Sequence, residues 1–191
     1  MSPFERTSSS LLRTGTARLQ RIVEDLLLVA EIEADRLELV RAPTDLGELA
    51  TETVEAALPR AAERGIELIL DVEGPLPLDA DAARLGQVLD NLVSNALKYT
   101  REGGRVVVSA TEKDANLRLE VADNGIGIPH DELGQLFSRF YRASTATRLA
   151  IPGTGLGLVI VRAIVERHDG TVSLYSFEGE GTRVTVSLPA G

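Results

Sequence analysis

Cysteine is absent from the 191 residues. That excludes disulfides, thiolate zinc sites and a cysteine nucleophile, and it agrees with a reducing compartment. A basic excess is absent too: 29 Asp and Glu against 20 Lys and Arg give a formal charge of -9. Nucleic-acid faces are built from clustered Lys and Arg, so the balance argues against one. A phosphate-bearing ligand would have to be held by backbone amides, Mg²⁺ and a few local cations. Long apolar runs are lacking. The longest aliphatic stretch is Leu26 to Ala30, whereas a bilayer span takes about 20 apolar residues. Met1 is followed by polar residues with no apolar core segment, so no signal peptide is expected. Histidine occurs only at His130 and His168, and no internal repeat or low-complexity segment is visible.

What is present is patterned apolar sequence, enough for one domain and a leader, since domains commonly hold about 100 to 200 residues. Met1 to Ser10 is polar and expected to fray. From about Leu11 to Leu39 the period is helical, with Leu19, Ile22, Val23, Leu26, Val29 and Ala30 forming a wide apolar stripe. One helix cannot bury such a stripe by itself. The pattern therefore predicts packing on a partner helix or a second copy of the chain, with folding back on its own domain as the alternative.

Residues 41–45 read as a break, with Thr44 the expected N-cap of a helix carrying Leu46, Leu49, Ala50, Val54 and Leu58 inward. Pro59 is expected to kink or shorten that helix and Gly65 to end it. Ile66, Leu68, Leu70 and Val72 alternate as a strand, a Gly74–Pro75 turn follows, and Asp79 or Asp81 caps the next helix. That helix, Arg84 to Tyr99, turns Leu85, Val88, Leu89, Leu92, Val93 and Ala96 to the core. Asn91 and Asn95, four apart, lie on one side, one turn above the other. An amide oxygen can complete the octahedral shell of Mg²⁺, which otherwise keeps waters and phosphate oxygens.

Val106 to Thr111 and Leu117 to Val121 read as a hairpin turning at 113–116, and the second strand stops at Asp123, read as the first residue past its end. Gly125 and Gly127 follow at once, and without a Cβ they let a flat ligand approach the backbone. Asp131 to Arg142 reads as a short amphipathic helix holding Phe137, Phe140 and Tyr141, three of the seven Phe and Tyr residues. Ala143 to Pro152 reads as a mobile loop or lid. A second cluster, Gly153, Gly155 and Gly157, runs into the helical pattern Val159 to Val165. Unpaired amides at a glycine-rich helix start suit phosphate. Two strands, Thr171 to Phe177 and Thr182 to Leu188, close the chain.

The asparagine helix, the Asp-x-Gly-x-Gly loop, the Phe-rich segment and the Gly-Thr-Gly-Leu-Gly run stand in an order and spacing that resemble the catalytic ATP-binding domain of sensor histidine kinases of two-component systems. The same fold serves gyrase, the MutL mismatch-repair proteins and the large heat-shock chaperone. The resemblance covers about Thr44 to Pro189. It implies an α+β fold, a two-layer sandwich whose mixed, mainly antiparallel sheet is covered on one face by helices, preceded by a long amphipathic helix. It divides the chain into residues 1–40, similar to the second helix of a dimerisation and phosphotransfer domain, and residues 41–191, the catalytic domain.

Carried over by position, the resemblance implies ATP and Mg²⁺ as ligands. Asp123 should accept a hydrogen bond from the adenine amine, Asn95 should hold Mg²⁺, and Asn91 should face the phosphates. Lys98 should reach phosphate and Tyr99 should lie against the base. Phe137, Phe140 and Tyr141 match the aromatic lid, with Arg142 the candidate for the γ-phosphate. Gly125, Gly127 and Ile128 in the first loop, Gly153, Thr154, Gly155, Leu156, Gly157 and Leu158 in the second, and Thr182 complete the expected nucleotide contacts. In the ATPases of this fold a Glu one turn before the metal Asn serves as general base; here Asn91 stands there, and an amide cannot take a proton. This favours phosphoryl transfer to a side chain over hydrolysis.

The resemblance also implies a cytoplasmic histidine kinase acting with a response regulator, and a homodimer through the N-terminal helix is compatible with it. The departure is the acceptor. Neither His130 nor His168 matches the phospho-acceptor pattern, so the acceptor His is expected on a further helix, from the same parent chain or a separate protein. A nucleotide-binding regulatory module without transfer and a serine kinase of the anti-sigma type are the competing readings.

Overall fold

In the computed structural model, residues 19–20 and 22–190 are described. The expected frayed leader at Met1 to Ser10 and the first turns of the N-terminal helix at Leu11 to Arg18 lie outside them. The chain divides into two compact units, one ending at Leu37 and the other beginning at Glu38. In the first, helix α1 covers 22–33. Leu19, Val23 and Leu26 of its apolar stripe are 65%, 54% and 43% exposed, and Ala30 is exposed too, whereas Leu28 and Val29 are buried. The stripe thus stays largely uncovered. No helix among the described residues is long and apolar enough to cross a membrane.

The second unit is α+β. Its main sheet runs β2 (Glu67–Val72), β4 (Arg105–Lys113), β5 (Asn116–Asp123), β7 (Gly181–Pro189) and β6 (Thr171–Phe177) across, with β2 and β4 parallel and every other pair antiparallel. Alternation decides the faces. Val106, Val108, Ala110, Leu117, Leu119, Val121, Val184, Val186 and Leu188 are buried, while the intervening positions carry charges such as Glu120, paired with Arg118 at 2.9 Å and Arg183 at 3.1 Å. Helices α2 (Leu46–Glu63), α3 (Ala82–Tyr99) and α5 (Gly157–Arg167) cover the apolar face. The β4–β5 turn puts Asp114 and Ala115 at φ 53° and 58°, the paired left-handed residues of a two-residue hairpin that matches strand twist.

Several boundaries differ from the sequence reading. Ala42–Asp45, read as a break, is strand β1, paired with β3 (Pro77–Ala80) in a separate two-stranded sheet. The cap of α2 is Asp45, not Thr44: its carboxylate accepts from Gly47 and Glu48 amides at 2.7 and 3.2 Å, while Thr44 donates to Ala42 and Ala80 carbonyls. Pro59 does not shorten the helix, which runs on to Glu63. Pro59 and Glu55 both face solvent, so the carbonyl deprived of its donor can be hydrated. The buried stripe continues through Val54, Ala57 and Ala61, leaving Leu58 46% exposed. Gly65, at φ 62°, ends the helix as expected. Asp81, of the two candidates, caps α3 through the Arg84 amide at 3.0 Å. Asp123 is the last residue of β5 and not the first beyond it.

The segment between the glycine clusters departs most. Asp131 to Arg142 is not a helix; a 3₁₀ turn at His130–Gln135 gives way to successive turns. Gly134 weakens helical continuation, and the side chains are drawn to separate partners: Leu136 is buried, Phe137 packs under Arg162, and Phe140 takes φ 60°. Residues 143–152 contain a short helix, α4 (Ser144–Arg148), whose Thr145 and Ala146 are buried. Its anchors are Thr145 Oγ1 on the Gly127 carbonyl at 3.2 Å and Arg148 on Glu178 at 2.8 Å.

Candidate nucleotide site

The site is assembled at one end of the sheet, under the helices. Asp123 closes β5 opposite Thr182, the second residue of β7. Residues directly opposed on one sheet face carry neighbouring side chains, and both lie on the face of Val121 and Val184. The Asp123 carboxylate accepts from the Gly125 amide at 2.9 Å and from the Thr182 backbone. Burial outweighs those two bonds and pushes its pKa up to about 6, which marks a carboxylate short of donors.

The loop behind it requires glycine for steric reasons. Gly127 has φ 61°, and a Cβ there would lie 1.7 Å from the Phe177 carbonyl oxygen. A Cβ on Gly125 would sit 2.4 Å from the Tyr99 oxygen. Both obstacles are backbone, so no side-chain rotation relieves them. Gly127→Ala is expected to destabilise the domain by more than about 2 kcal/mol, combining the left-handed penalty with displacement of the hairpin. Denaturant unfolding checks this against Gly134→Ala, where nothing lies within 4 Å.

On α3, Asn91 is buried and Asn95 half-buried. A Cβ on Gly157, the first residue of α5, would lie 3.7 Å from both Asn91 Oδ1 and Asn95 Nδ2. The asparagine pair therefore faces the start of α5, which no side chain caps and whose first amides, lacking intrahelical partners, suit an anion. Lys98 Nζ donates to Tyr99 Oη at 2.9 Å and lies 4.5 Å from that ring's centre. A Cβ on Gly153 would come within 2.6 Å of the same ammonium, so the glycine leaves room for it. Thr154 Oγ1 accepts weakly from the Leu156 amide at 3.4 Å, Leu156 is buried, and Leu158 is half-buried on the first turn of α5.

The aromatic segment is arranged otherwise. Phe140 is 63% exposed, its amide donating to the Gly155 carbonyl at 3.2 Å. Phe137 packs against the Arg162 guanidinium, 5.3 Å from its centre. Burial, with a hydrogen bond to Glu132, pushes the Tyr141 phenol pKa up. Arg142 donates to the Ile151 carbonyl within the lid, and its Nε is buried with no hydrogen-bond partner among the described residues. Asn91, Asn95, Lys98, Tyr99, Asp123, the glycines and Thr182 thus converge, whereas Tyr141 and Arg142 are engaged inside the lid, Phe137 on α5 and the Phe140 backbone on Gly155. Sequence reasoning missed Ser176, Glu132 and Thr145. Their hydrogen bonds join segments distant in sequence, for which no local periodicity exists.

The donor set fits a nucleotide. The helix start and Lys98 offer positive charge, Asp123 is a half-buried acceptor, and Asn95 supplies an amide oxygen. No group of three or more His, Cys, Asp or Glu among the described residues could form a metal cage, so a cation would share its shell with phosphate.

A two-layer α+β unit with these loops at one sheet end defines a nucleotide-binding ATPase-type domain. Residues 80–191 match the family described as histidine kinase-, DNA gyrase B- and HSP90-like ATPase, and the chain belongs to that family. It is 37% identical over 174 residues to the circadian input-output histidine kinase CikA of Synechococcus elongatus, covering 90% of this chain and 23% of that protein. The solved structure of full-length ShkA in complex with AMPPNP matches with TM-score 0.83 and 34% identity over 99% of this chain and 39% of that one. Histidine kinase ThkA in complex with response regulator protein TrrA matches with TM-score 0.72 and 26% identity over 100% of this chain and 53% of that one. The chain therefore spans well under two thirds of the relatives it matches first.

Proposed function

We propose that the chain is the ATP-binding catalytic portion of a cytoplasmic sensor histidine kinase, which with Mg²⁺ transfers the γ-phosphoryl of ATP to a His on a helix outside this domain for relay to a response regulator. The observation that carries this reading is the half-buried Asp123 carboxylate at the end of β5, held by the Gly125 amide, together with an uncapped helix start lined by Asn91 and Asn95. Asp123 takes the adenine amine, which leaves the triphosphate to run towards Lys98 and the amides of α5. Asn95 would hold Mg²⁺, which when bound would offset the charge of the phosphates. In the transfer the acceptor imidazole nitrogen forms the N–P bond as the bond to the β-phosphate oxygen breaks. ADP leaves, and the imidazole proton passes to solvent. Asn91 presents an amide where hydrolysis would require a base, so water is not activated. The kinship with histidine kinases and the AMPPNP bound by ShkA support the nucleotide, and the ThkA complex supports a response regulator as partner. The exposed stripe of α1 is the surface for a His-bearing helix or for a second copy of the chain.

Asn95→Ala tests the metal assignment. ATP affinity in the presence of Mg²⁺ is expected to fall about tenfold while adenosine binding persists, because the cation touches phosphates and not the base. Calorimetric titration with both ligands separates the outcomes, and equal losses for the two would make Asn95 a structural residue.

A further inference from the structure

Ser176 is 2% exposed on β6, the edge strand of the main sheet, and its hydroxyl is fully committed. It donates to the Gly181 carbonyl at 2.7 Å. It accepts from the Ile128 amide at 3.0 Å, at the end of the Asp123 loop. Its third neighbour is Thr182 Oγ1, also at 3.0 Å. A serine hydroxyl has one proton and two lone pairs. With the proton on Gly181 and one lone pair taken by Ile128, the only role left towards Thr182 is acceptor. Thr182 must then donate its own proton to Ser176, and what it can offer any other group is lone pairs alone.

Thr182 stands opposite Asp123 in the β5–β7 ladder. The backbone around the pair leaves little room for adjustment: a Cβ on Gly181 would lie 1.9 Å from the Asp123 carbonyl oxygen. We propose that Ser176 is a specificity-positioning residue, which by fixing the direction of the Thr182 hydroxyl makes the base end of the site a pair of acceptors, Asp123 and Thr182. This deepens the nucleotide reading above and rests on it. An all-acceptor edge suits adenine, whose exocyclic amine brings two protons, and opposes guanine, whose O6 is itself an acceptor. Ser176 touches no base; it acts through Thr182. Without it the Thr182 hydroxyl can rotate and donate to O6.

The test is calorimetric titration of the whole chain with ATP and with GTP, for the unsubstituted protein, Ser176→Ala, Thr182→Val, Thr182→Ser and the double variant Ser176→Ala/Thr182→Val. Ser176→Ala is expected to reduce the ATP-over-GTP preference about tenfold. Thr182→Ser, which keeps the hydroxyl, should retain the preference. In the Thr182→Val background, Ser176→Ala should change the preference no further, because the group it acts through is gone. A loss of fold stability alone would weaken both nucleotides together and leave their ratio unchanged. An unchanged ratio in Ser176→Ala, or additive losses in the double variant, overturns the proposal while leaving ATP binding standing. No ATP binding by the unsubstituted chain would remove the nucleotide reading and this inference with it.

Discussion

Asp123→Asn is expected to weaken ATP binding by about 1 to 3 kcal/mol, a factor of about 5 to 150 in affinity. The carboxylate already accepts from Gly125 and Thr182 amides, so an asparagine there would keep its oxygen on those donors and turn its NH₂ towards the adenine amine. Donor would then face donor in a site sheltered from water. The pH dependence gives an independent reading. With the Asp123 pKa pushed up to about 6 by burial, the accepting, ionised form is lost as pH falls through 6, and ATP affinity should fall with it. Domain stability has the opposite sign. The folded-state pKa lies above the ordinary value of 3.8, so Asp123 contributes most below about pH 4, and its contribution declines as pH rises towards 6 and beyond. Calorimetry between pH 5 and 8 should therefore show affinity rising through 6 in the unsubstituted chain and a flat profile in Asp123→Asn. Undiminished affinity in the variant would remove the anchor of the nucleotide assignment.

The second large effect is all-or-none. Incubated with radiolabelled ATP, the chain is expected to stay unlabelled, yet to label a His on an added fragment that supplies the acceptor helix. Its only histidines are His130 and His168. His168 is buried, its Nδ1 donating to the Ile164 carbonyl at 2.8 Å and its Nε2 accepting from the Asp81 amide at 3.0 Å. With both nitrogens engaged, neither can attack phosphorus. His130 begins the 3₁₀ turn after the first glycine loop, and no packed helix holds it in line with a γ-phosphate, although positioning is most of what a phosphoryl-transfer enzyme supplies. The fragment should dock on α1 through Leu19, Ile22, Val23, Leu26 and Ala30, three of whose larger side chains are at least 43% exposed. Acid-labile label on the chain itself, lost in His130→Ala or His168→Ala, would overturn this assignment.

The sequence by itself determined whatever depends on local period and on residue chemistry. The 3.6-residue spacing of Leu85, Val88, Leu89, Leu92, Val93 and Ala96 set the buried face of α3, and with it placed Asn91 and Asn95 together. Period-two alternation identified four strands of the main sheet beyond β2, and a carboxylate followed by glycines marked the strand end where the candidate site lies. Tertiary structure decided what is non-local. β1 and β3 exist because they pair with one another, Ala42 with Ala80 through Asp45 with Pro77, a contact that four-residue segments cannot announce. The expected helix at Asp131 to Arg142 gave way because Phe137, Tyr141 and Arg142 find partners in Arg162, Glu132 and Ile151, and propensity is too weak a bias to resist such contacts. Ser176 is legible only once β6, β7 and the Asp123 loop meet, since a hydroxyl's role is set by the donors and acceptors that folding brings to it.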